Sequence, residues 1–491
     1  MDTLTSTARK LLRDRRSVVA VIAGLLAPVL IGAAALAVDV GLWYRQSVRL
    51  QLAADAGALA EGILLVGSSG DPNYVPISYQ VTALFAGRDA IGETAANTTL
   101  SLPDVAGPAD QSRLTVTFRS PANLYFARVL TSTGVSVTAS ATLGRTGPAC
   151  VLALDQNAQQ GILVDGGGQI NATGCGIISD VPGGKFANNN STTYGTDCPG
   201  ITASNGVSMH VQSGTLRAPW IGAVGTVCIV QGSSTPAPLT PRAPVTDPFL
   251  AAVPPTVPVQ PACGKNAKAT TVSSSGALAP GTYCGGVVIT GPITVTLSGT
   301  YNIVNGLSVT NGAHVTLSGT YHVYGGGVSI TGNSDASLDN SAWDLVGCGL
   351  TFRQMSLRSA TNVGFHLAAS GSSAPGSLAW SGVTGWQGAQ ARMLAATSGA
   401  LAGFLIYQDR GYATGSSTVD SASSLSLSGG IYLPSDALAV QGGSSLSYAS
   451  GLAPLSTVAR TVSVNNGIIS AGTDKDGAAS IRGEFVLVQD P

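Results

Sequence analysis

The sequence predicts a mainly β protein carried on one long N-terminal helix, and three observations predict it. An uncharged run from Ser17 to Val38 follows a basic N-terminus and continues unbroken into an Ala-rich pattern. A Gly-Thr-Tyr unit recurs at near-regular spacing, starting at Gly281, Gly299 and Gly319. Around these units, short Val/Ile/Leu alternations are separated by Gly, Asn and Ser, the pattern of many short strands. The expected architecture is a transmembrane and stalk helix over 1–66, a small α/β module over 67–147, and a parallel β-helix (β-solenoid) ectodomain over 148–491.

The N-terminal run rises about 33 Å as a helix, enough to cross a hydrocarbon core of about 30 Å. Pro28 falls inside it, which a membrane helix tolerates. Ala33, Ala34, Ala35 and Ala37 keep a cleaved signal open as the alternative. Arg9, Lys10, Arg13, Arg15 and Arg16 precede the run and Asp39 is the first charge after it. The positive-inside bias therefore places residues 1–16 in the cytoplasm and everything downstream outside it. Leu42, Trp43, Leu50, Leu52, Leu59 and Ile63 continue at helical spacing. Gly67 to Pro72 ends the helix.

In the module, Tyr79 to Ala96 reads as a helix, Leu114 to Phe118 as a strand, Asn123 to Leu130 as a short helix, and Val135 to Leu143 as a second strand. From Cys150 onward the texture is short strands. Repeats as short as those between successive Gly-Thr-Tyr units, with several strands each, point to a solenoid, since a propeller blade needs about 40–50 residues. One turn would bury alternate Val, Ile and Leu against the next, with Gly and Asn at the corners. Residues 233–261 hold nine prolines. Proline is excluded from central strands, so this stretch is an insertion packed along the solenoid or a linker.

Pro28, AVDVG at 37–41 and LQLAADAGALAEG at 50–62 together resemble the N-terminal segment of TadG-like proteins of the tight-adherence (Flp) pilus system. There a span ends in VDxG and an LQxAADAAALA helix follows. YFARVL at 125–130, CVLALD at 150–155, GCGIISD at 174–180, APGTYCGG at 279–286 and GGIYLP at 429–434 extend the resemblance more loosely. It implies a role in pilus assembly, with pilin-like partners and a single-pass anchor in the bacterial inner membrane. No Gly-Phe-x-x-x-Glu processing site lies near the span, which narrows the expectation to an accessory component. No von Willebrand A metal motif occurs either; DNSAW at 339–343 fails it. The family motif makes Asp39 and Asp55 candidate assembly contacts, on a small-residue helix face that favours close packing; the alternative is two solvated carboxylates.

Charged residues make up only 10% of the chain and the net charge is −1, which leaves no electrostatic footprint for nucleic acid. An exported location permits disulfides among the seven cysteines. Cys150–Cys175, Cys198–Cys228 and Cys263–Cys284 are the local pairs, leaving Cys348 free; buried thiols are the alternative, and spacing does not fix connectivity. No cofactor is expected. No CxxC or zinc-type Cys/His spacing occurs. His314 and His322 fall in adjacent turns without an evident third ligand, so no metal site is expected.

Walker A, G-x-S-x-G and HExxH strings are missing from the sequence. A polysaccharide-acting β-helix enzyme would cluster carboxylates with a basic residue on one face; Asp335, Asp339, Asp344, Arg353 and Arg358 are its candidates, or else turn residues. Trp380 and Trp386 offer a glycan-stacking patch or core packing. The expected function is a membrane-anchored, non-enzymatic component of pilus assembly or surface adhesion, with surface glycans as a further partner. The alternatives are an anchored β-helix enzyme on polysaccharide and a pilus-independent adhesin.

Overall fold

The computed structural model describes residues 15–67, 113–121, 126, 136–145, 149–182, 207–472 and 485–488, apart from positions 159, 239, 241–243, 246, 251, 265, 372–373, 413–414 and 449–454. The expected helix at 79–96, most of that at 123–130, and Cys198 lie outside these residues. The chain divides into two units, one of Met1–Arg145 with Glu484–Pro491, the other Thr146–Gly483.

The first unit is built on helix α1, Arg15–Gly67, which contains Pro28. Its 53 residues extend about 80 Å. Residues Ile22–Leu52 are long and apolar enough to cross a membrane, with a mean hydropathy of 2.2. Leu25, Val29, Leu30 and Ile31 are each at least 65% exposed. Burial begins at Asp39 and continues through Gln46, Leu50 and Ala54, one face at i, i+7, i+11, i+15. That face meets an antiparallel sheet of Arg113–Pro121, Ser136–Arg145 and Phe485–Val488. The two strands expected near 114–118 and 135–143 are its first pair. The third strand comes from the far end of the sequence, so this unit is closed by the C-terminal segment.

The second unit is almost wholly parallel β. Each strand pairs with the strand one circuit further along the chain, so the chain returns to the same edge after each turn. Thr294–Val304 pairs with His314–Tyr324 through eleven consecutive residues, placing Gly299 beside Gly319 and Tyr301 beside Tyr321. The first Gly-Thr-Tyr unit departs from the sequence repeat: Gly281 pairs with Tyr301, two residues beyond Gly299. A two-residue shift keeps the same side chains inward, because strand side chains alternate with a period of 2.

Val295, Leu297, Tyr301, Ile303 and their counterparts Val315, Leu317, Tyr321 and Val323 are all fully buried. Inward aromatics form a column. Tyr301 stacks on Tyr321 at 5.2 Å, Tyr321 on Trp343 at 4.0 Å, and Trp343 on Phe365 at 6.0 Å. At the corners, Asn305, Asn311, Asn333, Asn340, Asn362 and Asn466 have positive φ. Asparagine reaches this left-handed region because its short amide can bond locally.

The order of layers is not the order of sequence. Ala149–Ala153, Gln160–Asp165 and Gln169–Thr173 pair on one side with 207–217 and 176–179, and on the other with the late strands Leu455–Asn465 and Ile468–Gly472. The chain therefore enters the stack in its middle and builds outward to Ser233–Thr235. It restarts at Thr270–Val272 at the opposite end, then builds back until 455–472 docks on the opening layer.

The proline-rich stretch makes that return journey as a strap. Its contacts advance layer by layer along one face. The Thr240 hydroxyl donates to Gly225 O, Val245 N–H to Asp180, Tyr407 O–H to Ala252 O, and Tyr324 O–H to Pro258 O. The Cys263–Cys284 disulfide pins its end. Layers about 4.8 Å apart make a stack of roughly 50 Å, which Thr240 to Cys263 can span in extended form at about 3.3 Å per residue.

Candidate functional site

On α1, Asp39 is 2% exposed and accepts the backbone N–H of Phe126 at 2.9 Å. Asp39 therefore holds Phe126 against the helix. Asp55 is partly buried and accepts Gln51 Nε2 at 2.9 Å, one turn back. Val40, Trp43, Tyr44, Val48 and Leu52, off the face that meets the sheet, are 43–70% exposed.

Cys150–Cys175 and Cys263–Cys284 are disulfides, with Cα atoms 5.6 and 5.4 Å apart. Cys228 is also disulfide-bonded. Cys348 is a free, buried thiol, pushed up to about 11 by burial. Trp380 is a core residue, 1% exposed and stacked on Phe352 at 6.1 Å, while Trp386 is 48% exposed. The two do not form one patch.

The carboxylates proposed for polysaccharide chemistry are each engaged by neighbours. Asp335 is nearly buried, ion-paired to Arg358 Nε at 2.5 Å and bonded to His314. Asp339 accepts Ser337, Ser359 and both the hydroxyl and N–H of Thr361. Burial opposes its charge, but those donors prevail and hold the carboxyl below its ordinary range. Corner residue Asp339 separates Asp335 and Asp344 onto different strands.

Asp344 belongs to a linked chain of histidines and carboxylates. The register aligns His322, Asp344 and His366 on consecutive layers. His322 Nδ1 lies 2.7 Å from Asp344 Oδ2, and His366 Nδ1 lies 3.0 Å from Asp344 Oδ1, each pair separated by 22 positions in sequence. His366 Nε2 lies 3.0 Å from Asp409 Oδ1, and Asp409 Oδ2 accepts Ala369 N–H at 2.9 Å. Burial disfavours charge on all three central groups, yet each partner restores it: His366 is raised by Asp344 and Asp409, and both carboxyls are lowered by His366 and their other donors. That equal spacing was the available signal in sequence; Asp409 carries none, because an insertion separates its layer from His366 by 43 residues.

The chain of charges meets the strap. Beside Asp409, Arg410 donates to the carbonyls of Phe249, Leu250 and Ala252 and to Tyr432 O–H. Tyr432 O–H donates to Asp247 at 2.6 Å. Phe249 packs edge-on to Phe404 at 4.9 Å and to Tyr432 at 5.3 Å. At the other end, Asp344 lines a cleft of about 360 Å³ that is also lined by Pro255 and Thr256 of the strap. Among the described residues, no group of three or more His, Cys, Asp or Glu is arranged to hold a metal ion.

Residues 17–61 match a family model described as putative Flp pilus-assembly TadE/G-like. The match covers the exposed apolar run, Asp39 and Asp55. This stretch is a TadE/TadG-like segment, and it overlaps the apolar helix. Comparison with curated proteins and with solved structures returned no match.

Proposed function

We propose that this chain is a membrane-anchored, non-enzymatic component of tight-adherence (Flp) pilus assembly, with residues 149–472 projecting as a parallel β-helix. The observation that carries the reading is the coincidence, on one helix, of three things. The TadE/G-like match spans 17–61, the apolar side chains of its first half are exposed, and coverage by the chain's own sheet starts at Asp39. A span ending at Val38 leaves the sheet-bearing stalk clear of the bilayer. The basic residues before Ser17 place the N-terminus in the cytoplasm and the β unit in the periplasm or outside the cell. The strand-for-strand register between successive layers, the alternating inward core and the asparagine corners support the β-helix.

The partners are other pilin-like membrane proteins, reached through Asp55 and exposed residues such as Val48 and Leu52. Asp39 serves that contact by holding the stalk to its sheet. Surface glycans remain a further ligand class for the projecting unit. The engagement of Asp335, Asp339 and Asp344 by neighbours favours a structural role over hydrolysis. Cells carrying a deletion of residues 17–66 should lose membrane localisation, pilus assembly and adherence. Survival of all three would overturn the anchor. Glycan turnover by residues 148–491, abolished by Asp339→Ala or Asp344→Ala, would overturn the non-enzymatic assignment.

A further inference from the structure

The His366 side chain is 1% exposed, and both its ring nitrogens face carboxylate oxygens at 3.0 Å. A neutral imidazole has one N–H, so it can satisfy only one of two ionised carboxylates; the imidazolium satisfies both. The groups facing this ring are Asp344, Asp409 and the Tyr407 ring at 5.9 Å. His322 and Tyr324 act on it through Asp344, and Arg410 and Asp247 lie beyond Asp409. Tyr407 and Arg410, which flank Asp409, grip the strap: Tyr407 donates to Ala252 O, and Arg410 to Phe249, Leu250 and Ala252 O. The short run Tyr407 to Arg410 thus carries both the His366 contact and the strap clamp.

We propose that the strap over residues 244–262 is a proton-operated cover on the adjoining cleft, closed while His366 is an imidazolium and released when that proton leaves to solvent. Loss of the proton sets one ring nitrogen, now a lone pair, against an ionised carboxylate. Asp409 and the clamp beside it are then repelled from Asp344, and the wall formed by Pro255 and Thr256 swings away. The sign is fixed by the direction of each shift. His366 is raised above its ordinary value, so closure is complete below about pH 6.5 and is lost as pH rises through the raised value. Asp344 and Asp409 are lowered, so they support closure down to pH values below about 4.

The test is amide hydrogen exchange of the full chain in detergent micelles from pH 5 to 10, corrected for the intrinsic exchange rate. Backbone amides within 244–262 should lose protection by about tenfold per pH unit from about pH 6.5 up to the His366 transition and level off above it. Those of Leu307–Thr310 and Val328–Thr331 should hold theirs. In Asp409→Asn the amide can donate to a neutral Nε2, so protection of the strap should persist across the range. A flat wild-type profile would overturn the proposal. So would a step of equal size in Asp409→Asn, or a simultaneous loss in Leu307–Thr310.

Discussion

Replacing Tyr321 with alanine removes the middle of the aromatic column. The side chain is fully buried, and it stacks between Tyr301 and Trp343. Its hydroxyl donates to Leu297 O at 2.9 Å. Truncating a buried aromatic costs about 3–5 kcal/mol, and losing two ring contacts adds about 1 kcal/mol. Unfolding entropy near 2.1 cal/mol/K per residue gives about 0.7 kcal/mol/K for the unit Thr146–Gly483. The melting temperature should therefore fall by about 5–9 °C. Tyr321→Phe keeps the rings and loses one hydrogen bond, about 1 kcal/mol, or about 1–2 °C. Thr320 points the opposite way and is half-exposed, so Thr320→Ala should stay within about 0.5 kcal/mol. Near-UV circular dichroism on heating reads all three. Equal shifts for Tyr321→Ala and Thr320→Ala would refute the alternation and the register on which the fold rests.

Gly319 has φ of 105°, and a Cβ there would run into the Gly299 carbonyl; Gly319→Ala should cost at least about 2 kcal/mol in thermal unfolding, more than Gly312→Ala, whose Cβ meets open space. Asp39→Ala removes an acceptor from Phe126 N–H and should cost about 1.5–3 kcal/mol, visible as faster exchange in Arg113–Pro121. Arg410→Ala should strip protection from the strap at 247–252 while leaving the layers intact, read by the same method. Cys263→Ser with Cys284→Ser opens a loop of sequence separation 21; the chain-entropy model gives about 3 kcal/mol, and loss of less than about 1 °C in melting temperature would contradict it.

The helix and the repeats were legible because their signals are local. An uncharged run sets the apolar stretch of the helix, and Val-x-Val-x-Leu with Gly-Thr-Tyr sets the alternation. What local pattern could not show is which layers adjoin. The opening layer at 149–173 pairs with 455–472, and only the long strap explains how the chain gets back. The strap's proline content excluded it from strands but did not give its route; that is fixed by Phe249, Arg410 and Tyr324, far apart in sequence. The third strand beside Ser136–Arg145 has no local signal for the same reason, since Phe485–Val488 reaches back from near the end of the chain to close a sheet that begins at Arg113. His322, Asp344 and His366 are brought together by the layer register. Asp39 read as a membrane boundary or an assembly contact, and its bond to Phe126 is a tertiary event without a sequence signal.

In the proposed function, residues 17–61 act in pilus assembly and are more than a generic anchor. The direct measurement is the number of surface pili on cells whose only copy has the exposed positions of 17–61 replaced by an unrelated apolar helix. Asp39, Gln46, Leu50 and Ala54 are retained so that the stalk keeps its sheet. The expected result is a chain that still fractionates with membranes while pili are lost. Normal pilus numbers with the replaced segment would contradict it.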